Sequence, residues 1–171
     1  MSFFKYLFIN SNQLFEEIEE SDYLIIRISI LGLLSLKLGI DTFILEGDIG
    51  LMIVATILSL IILYLLFIHI FPLLLKVISN WIGGHASKIE LRDVLFVSMI
   101  PICLGFILSN LSQQIEAYSR TSDVANFIMF CISLKILILG VAKSNKFSVK
   151  EAAMVLITFG AFYNILGYIL K

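Results

Sequence analysis

From Ile49 to Leu75 the chain carries no Asp, Glu, Lys or Arg, and this run decides the solvent in which the protein folds. An α-helix needs roughly 20 apolar residues to cross the ~30 Å hydrocarbon core of a bilayer, and this stretch exceeds that. A second charge-free run lies between Asp93 and Glu116, and a third covers Ala152 to Leu170. Two further runs hold isolated charges: Tyr23 to Ile40 contains Arg27 and Lys37, and Val124 to Ala142 contains Lys135. Arg27 sits near the start of its run, where its stem is expected to carry the guanidinium to the headgroups. Lys37 precedes Asp41 by one helical turn, the i, i+4 spacing of an ion pair. Lys135 has no such partner and is expected to face other helices or water rather than lipid. Composition agrees, with 60% hydrophobic and only 15% charged residues, against about 25% charged in soluble domains. The expected fold is all-α: a polytopic membrane protein with five transmembrane helices, at about 23–40, 49–72, 94–112, 124–142 and 152–170, in one domain spanning 23–171.

The loops orient it. Amino terminus and second and fourth loops together hold Lys5, Lys76, Lys88, Arg92, Lys143, Lys146 and Lys150, whereas the other side holds Arg120 and Lys171. That bias places the amino terminus in the cytoplasm and the carboxyl terminus outside. Residues 1–22 form a cytoplasmic leader, in which Phe4, Leu7, Leu14, Phe15 and Ile18 recur at helical spacing, as in a short amphipathic interfacial helix. Net charge is −1 with no basic tract, which argues against nucleic acid as a partner. Cys103 and Cys131 lie in apolar runs and read as buried free thiols.

The stretch "NWIGGHASKIELRDVLFVSMIP", Asn80 to Pro101, interrupts the apolar pattern. Pro72 is expected to kink or end the membrane part of the second helix, with Trp81 at headgroup level. Gly83 and Gly84 are expected to adopt positive φ and reverse the chain. Ser87 and Glu90 have the S-x-x-E spacing of a capping box that starts the next helix, and Ser148 and Glu151 repeat it before the last. Small residues trace a packing face on the first span (Ser29, Gly32, Ser35, Gly39) and another on the last (Gly160, Asn164, Gly167). They suit packing inside the bundle, with homo-oligomerisation the alternative.

Gly83, Gly84, Ser87, Glu90, Ser98 and Pro101, placed after the second of five spans, resemble the YIP-domain family of Ypt/Rab-interacting integral membrane proteins and their bacterial relatives. Gly140, Ala142, Ser148 and Ala152 look like that family's loop before its last span. "SNQLFEEI" resembles the segment that precedes its first span, without the family's proline. The resemblance covers almost the whole chain. It implies a five-helix bundle with a cytoplasmic amino terminus, in a minimal form placed in the bacterial cytoplasmic membrane. The long cytoplasmic region and the "DLYGP" stretch of eukaryotic members are missing, so binding to Rab-type GTPases does not carry over.

Catalysis finds little support. His69 and His85 form no H-x-x-x-H or H-E-x-x-H pair, and "GGHAS" puts His85 and Ser87 in one loop rather than in nucleophile–base geometry. No cofactor or metal is expected. The expectation is a non-enzymatic adaptor in the lipid bilayer, offering Lys88, Arg92, Lys143, Lys146 and Lys150 to a membrane or cytoplasmic protein partner or to anionic lipid. The rival is a small-solute transporter, or a subunit of a transport complex, that uses Lys135, Lys37 or Asn164 inside the membrane.

Overall fold

A computed structural model describes the backbone over residues 20–113 and 119–169 and side chains over 23–108 and 123–161. Every element in that range is helical: α1 (Glu20–Glu46), α2 (Ile49–Tyr64), a π-helical turn (Leu65–Ile70), α3 (Phe71–Trp81), α4 (Lys88–Gln113), α5 (Ser119–Asn145) and α6 (Val149–Ile169). Among the described residues four stretches are long and apolar enough to cross a membrane: Tyr23–Glu46, Ile49–Trp81, Lys88–Leu108 and Asp123–Asn145. The expected fifth run, 152–170, and the amphipathic leader helix extend into or lie in residues outside that description.

The first connection is tighter than its charges suggest. The first span is expected to end at about residue 40, yet α1 continues through "DTFILE" to Glu46. Lys37 Nζ reaches Asp41 Oδ2 at 2.5 Å, and Thr42 Oγ1 donates to the Leu38 carbonyl at 2.9 Å, so both polar groups are satisfied on the helix. The reversal needs only Gly47, at φ 70°, and Asp48, whose carboxylate accepts from Gly50 N at 2.6 Å and caps α2. The two helices then cross closely. A Cβ on Gly39 would overlap Thr56 Oγ1 and lie 3.0 Å from the Met52 carbonyl. Ser35 is buried beside it, but Ser29 and Gly32 are exposed, so the small-residue face of α1 is divided between packing and open surface.

α2 buries none of its side chains. A helix apolar on every side and exposed on most of them requires hydrocarbon as solvent, which makes this a membrane-integral protein. Pro72 does not end the helix. Instead the ladder slips by one residue ahead of it, with Phe71 N donating to the Leu66 carbonyl, and α3 follows directly. Such a turn accommodates the ring and its missing N–H without breaking the rod.

Two clusters hold the bundle together. Leu75 and Ile78 of α3, Leu91, Val94 and Leu95 of α4, Val141 and Ala142 of α5, and Ala152 and Val155 of α6 form one. Ile30, Leu31, Phe67, Phe96 and Cys103 form the other. Phe71 joins them, edge-on to Phe67 at 5.2 Å and to Phe159 at 5.7 Å. Pro101 lies buried inside α4, where it interrupts the ladder. Ser133 Oγ of α5 donates to the Ser98 carbonyl, one residue along from the Val97 carbonyl that Pro101 leaves without a helical donor, and ties α5 to α4 at the proline.

One sequence expectation fails on burial. Cys131 is exposed while Cys103 is buried. Lys135 is exposed, on the outside of α5, where Ser133, Ile136 and Gly140 take the inward positions. In a bilayer an apolar run has no inside preference, so hydrophobicity alone does not say which face turns to the core.

Candidate functional site

Polar residues concentrate where the two loops meet, here called the loop end. Both loops use one device. At the end of α3, Gly83 takes φ 92°, Gly84 N donates to the Ser79 carbonyl at 2.8 Å and Gly83 N to the Asn80 carbonyl at 3.1 Å. At the end of α5, Lys146 takes φ 58°, Phe147 N donates to the Ala142 carbonyl at 2.8 Å and Lys146 N to the Lys143 carbonyl at 3.3 Å. Each is a Schellman terminus, completed in the second loop by a lysine where glycine is usual. A capping box then restarts the chain. Ser87 N donates to Glu90 Oε2 at 2.7 Å and Glu90 N to Ser87 Oγ at 3.2 Å. Ser148 N donates to Glu151 Oε2 at 2.7 Å and Glu151 N to Ser148 Oγ at 3.4 Å. The bonds from the Ser148 backbone and hydroxyl hold the Glu151 carboxyl below its ordinary range.

Asn145 ties the loops together. Its side chain is 2% exposed. Oδ1 accepts from Ala86 N at 3.1 Å, and Nδ2 donates to the Val141 carbonyl at 3.0 Å and to Ser79 Oγ at 3.5 Å. Gly84 therefore serves closeness rather than positive φ. It is buried, and an added Cβ would overlap Asn145 Oδ1 and lie 2.7 Å from Phe147 Cζ. Only Gly83 of the pair uses the left-handed region.

The charges arrange around Asp93. Arg27 of α1 does not rise to the headgroups alone: its Nη2 lies 2.5 Å from Asp93 Oδ1, both side chains being about 15% exposed. Arg92 Nε approaches the same oxygen at 3.3 Å. Arg27 thereby pins the start of α1 to α4, and its own Nε is buried without a hydrogen-bond partner.

Of the five basic residues expected to act as one patch, four fall into two groups around this ion cluster. Lys143 and Lys146 line a cleft of about 380 Å³ with Tyr23, Glu90 and Asp93. Lys88 and Arg92 face the other way: Lys88 Nζ lies 3.4 Å from His69 Nδ1, and Arg92 borders a groove between α1 and α2. Lys150 is exposed on the first turn of α6. The intramembrane candidates stand apart from all of these. Lys37 is paired with Asp41 and lies 5.3 Å from the Phe106 ring centroid, on the same helix as the Gly47 turn. Lys135 is on the outer face, and the Asn164 side chain lies outside the described residues.

Asp93, Arg27 and Asn145 were not singled out as partners by the sequence, although Arg27 carried a signal in being a charge inside an apolar run. A family model described as Yip1 domain matches residues 5–170. No curated protein and no solved structure matches the chain.

Proposed function

The chain belongs to the Yip1 domain family, and from that premise we propose a non-enzymatic integral membrane adaptor that docks a partner protein at its loop end. In this reading the loop end faces the cytoplasm, in accord with the lysine bias of the sequence, and the membrane is the bacterial cytoplasmic one. Five crossings fit the length of α6, whose 21 residues extend about 30 Å.

The observation that carries the proposal is the Asn145 bond to Ala86 N. It fuses two loops, 59 residues apart in sequence, into one platform beneath the Lys143–Lys146 cleft. A binding surface held on a rigid frame loses less ordering entropy on association than two independent loops. The acids of the cleft, Glu90 and Asp93, set beside the two lysines, suit a partner segment with both signs of charge. Lys143, Lys146 and Lys150 also favour an anionic inner leaflet, each by about 1 kcal/mol.

Catalysis gains no support here. Ser87 Oγ is committed to the helix start rather than to His85. Nor does transport, since Lys37 is paired and Lys135 points outward.

The test is replacement of Lys143, Lys146 and Lys150 by Glu, with crosslinking in cells and identification of co-purifying proteins. Loss of a partner is expected; retention of every partner overturns this surface as the dock. Lys135→Ala is expected to change nothing. If it abolishes a solute flux while partner binding persists, the transporter reading replaces the adaptor.

A further inference from the structure

On the opposite face of α4 from the cleft, a groove of about 730 Å³ opens between α1 and α2. Its walls are apolar except where Arg27, Arg92 and Tyr64 border it. We infer that this groove seats one anionic glycerophospholipid, with an acyl chain between α1 and α2 and the phosphate on Arg92 and Arg27.

Charge is the first argument. Two guanidinium groups share the single carboxylate of Asp93, so the triad keeps a formal excess of one positive charge in a mostly buried setting. Lys88 adds another one turn away, beside His69, whose ring meets Tyr64 edge-on with centroids 5.9 Å apart. The nearest other acid on α4, Glu90, lines the opposite cleft and is held by Ser87 N. An uncompensated charge bordering hydrocarbon is costly, and a phosphate matched to a guanidinium fork relieves it. The buried Arg27 Nε without a partner marks the same deficit.

Shape is the second. From Ile68 to Leu60 the groove follows eight residues, about 12 Å of helix. One leaflet's share of the hydrocarbon is about 15 Å. The cationic border and the apolar walls are therefore spaced like a headgroup and the tail beneath it. The volume is that of a ligand site rather than of a packing defect. Gly32 lies on the wall, and a Cβ added there meets nothing within 4 Å, so a side chain at this position enters the groove rather than another helix.

This inference needs only a bilayer around the protein and is independent of the adaptor proposal. The experiment is native mass spectrometry of the full chain released from nanodiscs of phosphatidylglycerol or of phosphatidylcholine with identical acyl chains. One retained phosphatidylglycerol per chain is expected, and none or far less phosphatidylcholine. Gly32→Leu is expected to abolish the adduct by filling the groove. Arg92→Gln is expected to lower the preference for phosphatidylglycerol about fivefold, the loss of one basic residue near an anionic group. Glycerol 3-phosphate, the headgroup without tails, is expected not to compete at equal concentration. Equal retention of the two lipids, an adduct unaffected by both substitutions, competition by the free headgroup, or a lipid-free dimer would each overturn the assignment. Thermal unfolding of each variant separates loss of the lipid from loss of the fold.

Discussion

Replacing Asn145 by Ala tests whether the loop end is one rigid unit. The substitution removes the acceptor for Ala86 N and the donor to the Val141 carbonyl, at a residue 2% exposed. A buried N–H left without a partner costs about 1–3 kcal/mol, and the vacated side-chain volume adds roughly 1 kcal/mol. The expected loss is therefore about 2–4 kcal/mol. For a chain of 171 residues, each kcal/mol corresponds to about 2–4 °C in Tm, so a fall of at least about 4 °C is expected in a mild detergent. Gly84→Ala supplies an internal control. Alone, its Cβ collides with Asn145 and Phe147; in the Asn145→Ala background the first collision is gone. The double variant is therefore expected to be more stable than the sum of the singles by about 1 kcal/mol. Additive effects, or an Asn145→Ala cost below about 0.5 kcal/mol, would refute the reasoning that this amide joins the loops.

Lys146 and Gly83 occupy equivalent left-handed positions. Lys146→Gly should stabilise the protein by about 1 kcal/mol and Gly83→Ala destabilise it by about as much, read as opposite shifts in thermal unfolding. Ser133→Ala removes the donor to the Ser98 carbonyl beside Pro101 and should cost about 1 kcal/mol. Glu151 has a lowered pKa in the fold, so its box contributes stability in full above the unfolded carboxyl value, about 4.3. That contribution is lost as pH falls through the lowered folded value. Ser148→Ala should flatten this part of the stability–pH curve, below about pH 4.3, measured by unfolding as pH is lowered.

Local signals were legible in the sequence. The Ser87–Glu90 and Ser148–Glu151 boxes and the Lys37–Asp41 pair depend on three- or four-residue spacing, which helix geometry turns directly into contact. Arg27–Asp93 and Ala86–Asn145 depend on how distant helices pack, 66 and 59 residues apart, and no local pattern announces them. Gly84 illustrates the ambiguity of a glycine, which serves equally for positive φ and for a missing Cβ; here the neighbour decided it. The extension of α1 through Asp41 and Thr42 was hidden because charges read as loop until their partners on the same helix are counted. Cys131 was misplaced for a different reason. The usual equation of apolar with interior loses its force when the solvent is itself apolar.

The adaptor account stands on the loop end lying in the cytoplasm. Its most direct test is a membrane-impermeant maleimide applied to cells carrying His85→Cys or Lys150→Cys, both at exposed positions, in a chain lacking Cys103 and Cys131. No labelling of intact cells and full labelling after permeabilisation is the predicted result; labelling of either site from outside intact cells contradicts the account.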